Sequence, residues 1–140
     1  MKKFYVASSF KNVANVRYVA QGLENEGYIN TYDWTLNAKA RDEKTVTLSD
    51  LKKIGQMEKE AVLDADVVVI LLPGGKGTHI ELGIAIGQAK KIFLHSPDGT
   101  VNHVETTSTF YHLPEVVKHL GTLDELLGQI TGQERVGATR

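Results

Sequence analysis

The chain has 140 residues, 41% hydrophobic and 24% charged, enough for one buried core and typical of a soluble globular protein. Sixteen basic and seventeen acidic residues leave a formal net charge of −1, which argues against an electrostatic grip on nucleic acid polymers or anionic membrane. The absence of cysteine removes disulfides, thiolate metal sites and thiol nucleophiles together.

Phe4–Ala7 is a short aromatic and β-branched run before Ser8-Ser9 and predicts a buried first strand. Apolar residues at Val13, Val16, Val19, Ala20 and Leu23 predict a helix over Val13–Glu26 that stops at Gly27. Tyr28–Tyr32 predicts a second strand, and polar Asp33–Thr47, with the sole tryptophan Trp34, a long loop. Ser49 is the expected N-cap of a helix reaching Asp64. Val67–Leu72 (VVVILL) is continuously apolar, as a central parallel strand covered on both faces must be. A helix over about Thr78–Lys90 and a strand at Lys91–His95 follow, then turn-rich Ser96–Thr109. Phe110-Tyr111-His112 is the expected edge strand, and Thr122 the cap of a last helix to Ile130. Residues 1–130 are expected to form a single domain and 131–140 a flexible tail. The N-terminus has no signal-peptide pattern and no apolar run reaches membrane-spanning length, so a cytoplasmic location is expected.

Strand and helix alternate, which predicts a doubly wound α/β sandwich with a five-stranded parallel sheet in the flavodoxin-like order 2-1-3-4-5. In such sheets a ligand binds beyond the carboxyl ends of the strands, where the order reverses. Here Ser8 and Ser9, after the first strand, would then face Pro73–Gly77, after the third.

That second loop opens PGGKGTHIELG, residues 73–83. Lys76 stands mid-loop, so the P-loop pattern fails, and the dinucleotide glycine spacing is absent. Gly74, Gly75 and Gly77 still permit close approach of a ligand to backbone, at a helix start that suits an anion. Thr78 and Glu81 have the spacing of a capping box, with Glu81 returning to the Thr78 amide. The alternative places Glu81 on the crevice floor as an ionised nucleophile. Gly83 and Gly87 are expected to let the helix pack closely on the sheet.

FYVASSF, DADVVVILL and GTHIELGIAIGQAKKIF resemble the nucleoside 2-deoxyribosyltransferase superfamily, which includes deoxynucleoside 5′-monophosphate N-glycosidases; the resemblance runs to about Pro97. It implies a small-molecule nucleoside or nucleotide as substrate, no cofactor, and cleavage or transfer at its N-glycosidic bond. Glu81 would attack the anomeric carbon to form a glycosyl-enzyme intermediate. Tyr5 would orient Glu81 by hydrogen bonding, the alternative being a core aromatic. Glu58, eight positions before Asp66, would protonate the departing base; as an ordinary helix residue it would be solvated. Ser8, Ser9, Lys11, Asn12 and Arg17 fall where the monophosphate N-glycosidases hold phosphate. The transferases carry a base-contacting aspartate where this chain has Gly75, which keeps hydrolysis of a monophosphate, and a non-catalytic nucleotide sensor, as alternatives to transfer. PGGKGT followed by Glu81 also matches the motif of the cytokinin-activating phosphoribohydrolases, again N-glycosidases of nucleoside monophosphates.

His79 is expected near substrate, and Trp34 either stacks on the base or anchors the core. The five histidines lack metal-ligand spacing, so no metal site is expected. The resemblance implies a homodimer or larger assembly, with Asn102, His103 and Ser108 reaching a neighbouring subunit's pocket.

Overall fold

In the computed structural model, residues 2–41 and 46–132 are described, the side chains of 38–41 excepted. Five strands, β1 (Lys3–Ala7), β2 (Ile29–Asn30), β3 (Val67–Leu71), β4 (Lys91–His95) and β5 (Val116–His119), form one sheet in the order β2-β1-β3-β4-β5. Every neighbouring pair is parallel, as the strand–helix alternation predicts. β3 lies at the centre because all five of its residues are buried, so helices must cover both its faces. The register sets Tyr5 opposite Val68 and Ile70 opposite Leu94.

Four α-helices cover the sheet: α1 (Val13–Asn25), α2 (Leu48–Asp64), α3 (Lys76–Gly87) and α4 (Leu123–Thr131). Helix α1 packs with α4, and α2 with α3. α1 buries Val16, Val19, Ala20 and Leu23, the stripe the periodicity predicts. It ends in a Schellman turn: Tyr28 N–H donates to Leu23 O and Gly27 N–H to Glu24 O, with Gly27 at φ +86°. Glycine is the residue that takes that backbone conformation without a Cβ penalty. α3 closes with the same two bonds, Lys90 to Ala85 and Ala89 to Ile86, but there an alanine occupies the left-handed position, φ +54°.

Several boundaries differ from expectation. Phe110–His112 is not a strand; Thr109–His112 is a 3-10 turn capped by Ser108, and the edge strand is Val116–His119. The aromatic run misleads because β5 is half-solvated: Val116 alone of its four residues is buried. The second strand shrinks to Ile29–Asn30, and Trp34–Arg41, expected to be loop, forms 3-10 turns kinked at Asn37. The cap of α2 is Thr47, which forms a reciprocal pair with Asp50, and Ser49 lies inside the helix. α3 begins at Lys76, so Thr78 is its third residue and the Thr78–Glu81 box does not form. Gly83 and Gly87 do not approach the sheet: a Cβ on either would meet nothing within 4 Å. Leu82 and Ala85 are the buried residues on that helix, and nothing in the structure explains the two glycines. Thr122 caps α4 as expected, through Glu125. Thr131 ends α4 with Gly132 as C-cap, and the rest of the expected tail lies outside the described residues. Among the described residues no helix is long and apolar enough to cross a membrane.

The two hydroxyls at the start of α2 give a direct test of its boundary. Thr47→Ala should lower the free energy of urea unfolding by about 1 kcal/mol, whereas Ser49→Ala should change it by less than about 0.5 kcal/mol. Equal losses would mean that the helix starts at Ser49.

Candidate active site

The sheet order reverses between β1 and β3, and their carboxyl ends are tied together there. Ser8 Oγ donates to Leu71 O at 2.7 Å and accepts from Asn12 Nδ2 at 3.0 Å. Ser9 N–H donates to Pro73 O at 3.4 Å, and Ser9 Oγ accepts from the Lys11 amide at 3.2 Å. Above this seam is a cavity of about 400 Å³ lined by residues of both loops, by Trp34 and Glu58, and by Glu81.

Glu81 is 8% exposed, on the second turn of α3. Its Oε2 accepts a hydrogen bond from the Tyr5 hydroxyl at 2.6 Å. Tyr5, in mid-β1, is wholly buried, and the bond joins residues 76 positions apart. Burial, reinforced by the Glu81 charge, pushes the Tyr5 hydroxyl far above the ordinary tyrosine range. It therefore remains a protonated donor at any physiological pH, suited to fixing the plane of a carboxylate without taking its charge.

Glu58 reaches the cavity from α2 and is half-buried. Its charge is felt at the Tyr5 hydroxyl. Thr31 Oγ1, donating to Ala61 O at 2.9 Å, ties that turn of α2 to the end of β2. Trp34 is an anchor and a wall at once: 3% exposed, it donates from Nε1 to Val6 O at 2.6 Å and meets Phe10 edge-on, with ring centroids 5.0 Å apart. Both rings line the cavity.

The glycine loop supplies the wall beside Glu81. Thr78, 3% exposed, accepts through Oγ1 from the Gly75 amide at 3.2 Å. Gly74 lies so close that a Cβ there would come 2.5 Å from Thr78 Cγ2, which explains the glycine. Gly75, Lys76, Gly77 and Thr78 line the Glu81 cavity; Gly74 and His79 line a separate one beyond the loop.

The structure thus brings together Glu81, Tyr5, Glu58, Trp34, Ser8, Ser9, Gly75, Gly77 and Thr78. It does not bring in Arg17, whose guanidinium donates to the Thr35 hydroxyl at 3.3 Å, nor Asn12, which holds Ser8. His79 turns its ring toward Tyr111. Asn102 accepts from Lys118, Ser108 caps its 3-10 turn, and His103 follows the turn Gly99–Asn102; none lines the Glu81 cavity of this chain. Lys11, placed by the resemblance where phosphate is held, does line the cavity, and two further lining residues went unassigned in the sequence: Phe10 and Lys76. Lys76 stands first in α3, and its place in the glycine loop was the available signal; Phe10, following the two serines, carried none.

No family model matches the chain, and no curated protein does. Solved structures do. A CMP N-glycosidase of Clostridium botulinum is similar with a TM-score of 0.61 and 16% identity, over 92% of this chain and 98% of that one. A 2-deoxyribosyltransferase from Bacillus psychrosaccharolyticus gives 0.64 and 17%, over 89% and 90%. A conserved protein from Enterococcus faecalis gives 0.63 and 21%, over 95% and 99%. With its five parallel strands in the order β2-β1-β3-β4-β5, the chain has the 2-deoxyribosyltransferase fold.

Proposed function

We propose that this chain cleaves or transfers at the N-glycosidic bond of a nucleoside or nucleotide, with Glu81 as nucleophile. The observation that carries the reading is the buried Tyr5–Glu81 hydrogen bond at the edge of a cavity of nucleoside size. In this mechanism a Glu81 carboxylate oxygen bonds to the anomeric carbon as the carbon–nitrogen bond breaks. The electron pair leaves with the base, and Glu58 delivers a proton to the departing nitrogen. A second base or a water then attacks the same carbon from the opposite face, giving its proton to the now ionised Glu58, releasing Glu81 and retaining configuration overall. Tyr5 holds Oε2 throughout, and Phe10 and Trp34 flank the base with apolar surface.

Transfer of a deoxyribosyl group is the leading form. Hydrolysis of a 5′-monophosphate is the second reading, favoured by Lys11 and Lys76 in the cavity lining, two cations available to a phosphate. The assembly in this reading is a homodimer or larger. Its supporting feature is an apolar hollow that includes Ile80, Gly83, Ser108 and Phe110, with Ile80 and Phe110 both largely exposed.

A panel of deoxynucleosides and nucleoside 5′-monophosphates, each with and without a free acceptor base, separates the readings. Base exchange supports transfer; free base without exchange supports hydrolysis; binding without turnover leaves a nucleotide sensor. Glu81→Ala should lower kcat by about 10³-fold or more, and Glu58→Gln by about 10²-fold or more. Survival of most activity in Glu81→Ala would sink the nucleophile assignment.

Tyr5→Phe removes one hydrogen bond to a charged group, so kcat should fall roughly 10- to 100-fold. The same variant tests the raised pKa. In the native fold the phenol stays neutral, whereas in the unfolded chain it ionises near its ordinary value of 10.0. The stabilisation is therefore complete below that pH and declines above it. Alkaline titrations of unfolding free energy should show a shallower loss above about pH 10 for Tyr5→Phe than for the wild type; parallel curves would contradict the assignment.

A further inference from the structure

The ring of His79 lies across the glycine loop from Glu81, against a cavity of about 330 Å³ that Ser96, Thr106 and Tyr111 also line. Both of its nitrogens are engaged. Nδ1 is 2.8 Å from Gly75 O, and Nε2 is 2.5 Å from the Tyr111 hydroxyl. A carbonyl can only accept, so Nδ1 carries the proton. In the neutral ring Nε2 then accepts and the Tyr111 hydroxyl donates. The Gly75 carbonyl thus selects the tautomer, and the Tyr111 hydroxyl, able to donate or accept, complements it.

Tyr111 is itself well held. It is 7% exposed, and its amide donates to Ser108 O at 3.1 Å within the turn Thr109–His112, which packs on β5. Burial raises the pKa of its hydroxyl, so it keeps its proton. At the other end of the chain of bonds is Gly75, the N-cap of α3. Having no side chain, Gly75 cannot form a side-chain cap of its own, and glycine loses more conformational freedom on ordering than any other residue. Its position is fixed instead by bonds from outside. Its amide donates to Thr78 Oγ1, and its carbonyl accepts from both the His79 amide, at 3.2 Å, and the His79 ring. Gly75, Lys76 and Gly77 are the wall of the Glu81 cavity.

We propose that Tyr111 is a positioning residue: acting through His79, it holds Gly75 and with it the wall of the Glu81 cavity in the geometry that receives the ligand. The segment after β4 thereby influences a site it does not line. The kinetic part of this proposal rests on the N-glycosidic reading given above; the tether itself does not.

Tyr111→Phe keeps the ring and removes only the hydroxyl. In the intact chain, amide hydrogen exchange at Gly75 and His79, whose bonds meet at Gly75, should accelerate roughly three- to tenfold, the scale of one lost hydrogen bond. Exchange in β3 should stay unchanged. With the best substrate of the nucleoside and monophosphate panel, KM should rise by a similar factor while kcat stays within about twofold, as for a lost binding contact. His79→Asn retains a donor near the Nδ1 position but loses the partner of Tyr111, so it should reproduce both effects. The double variant should be no worse than either single one, because all three break the same link. Unchanged exchange at Gly75 and His79 in Tyr111→Phe overturns the proposal. So does faster exchange without a rise in KM, which would make the bond a packing detail. If the wild type turns over no member of the panel, the N-glycosidic reading fails, and the exchange comparison alone decides whether the tether exists.

Discussion

A tyrosine in the middle of a buried strand donates to a carboxylate on the helix that follows the neighbouring strand, and the rest of the molecule is arranged so that this bond can form. A buried carboxylate without partners is expensive, so a chain that places Glu81 at 8% exposure must supply donors. Tyr5 can serve as one because β1 is adjacent to β3, and that adjacency follows from the strand order. Parallel pairing brings the carboxyl ends of both strands to one edge, and Ser8 ties them through Leu71. The helix carrying Glu81 therefore starts beside the strand carrying its partner. A chain with β1 elsewhere in the sheet would deprive the carboxylate of this donor.

The loops add aim and access to this pair. Trp34, bound to the Val6 carbonyl, connects the segment after β2 to the strand that bears Tyr5. α2, fastened by Thr31, brings Glu58 to the same cavity. The glycine loop is ordered by three short-range bonds that meet at Gly75. Two carboxylates thus reach one cavity from different helices, one fixed by a tyrosine and the other half-exposed, an arrangement that allows a nucleophile and a proton donor to differ in environment.

Much of the fold is legible in the sequence because its strongest signals are local. VVVILL has no stable place except the centre of a sheet, and the Val13–Leu23 stripe ends at a glycine that takes a positive φ. What escapes is settled by tertiary packing or by competition between similar residues. β5 buries so little that its four residues look less strand-like than the aromatic turn before it. Thr47 and Ser49 are both good caps, and only the helix geometry chooses between them. The same competition decided Glu81: Thr78–Glu81 has capping-box spacing, but α3 begins two residues earlier and leaves the carboxylate to Tyr5. Within the site, the residue types that bear on chemistry are visible, but their direction is not. Arg17 and His79 are near in sequence to cavity residues and turn to other partners, Thr35 and Tyr111, whereas Lys11 and Lys76 line the cavity.

The Ser8 seam also bears on how this cavity can adapt. Its hydroxyl spans from the end of β1 to the backbone of β3 while Asn12 holds it from the side. Parting the two strands would sacrifice these bonds together with the ladder beneath them, so the floor of the crevice is the stiffest part of the site. Plasticity toward ligands of different size is more easily supplied by other parts of the lining, such as the half-exposed Glu58 side chain that extends from α2. A change in the size of ligand accepted is therefore to be sought on α2, with the Ser8 seam left untouched.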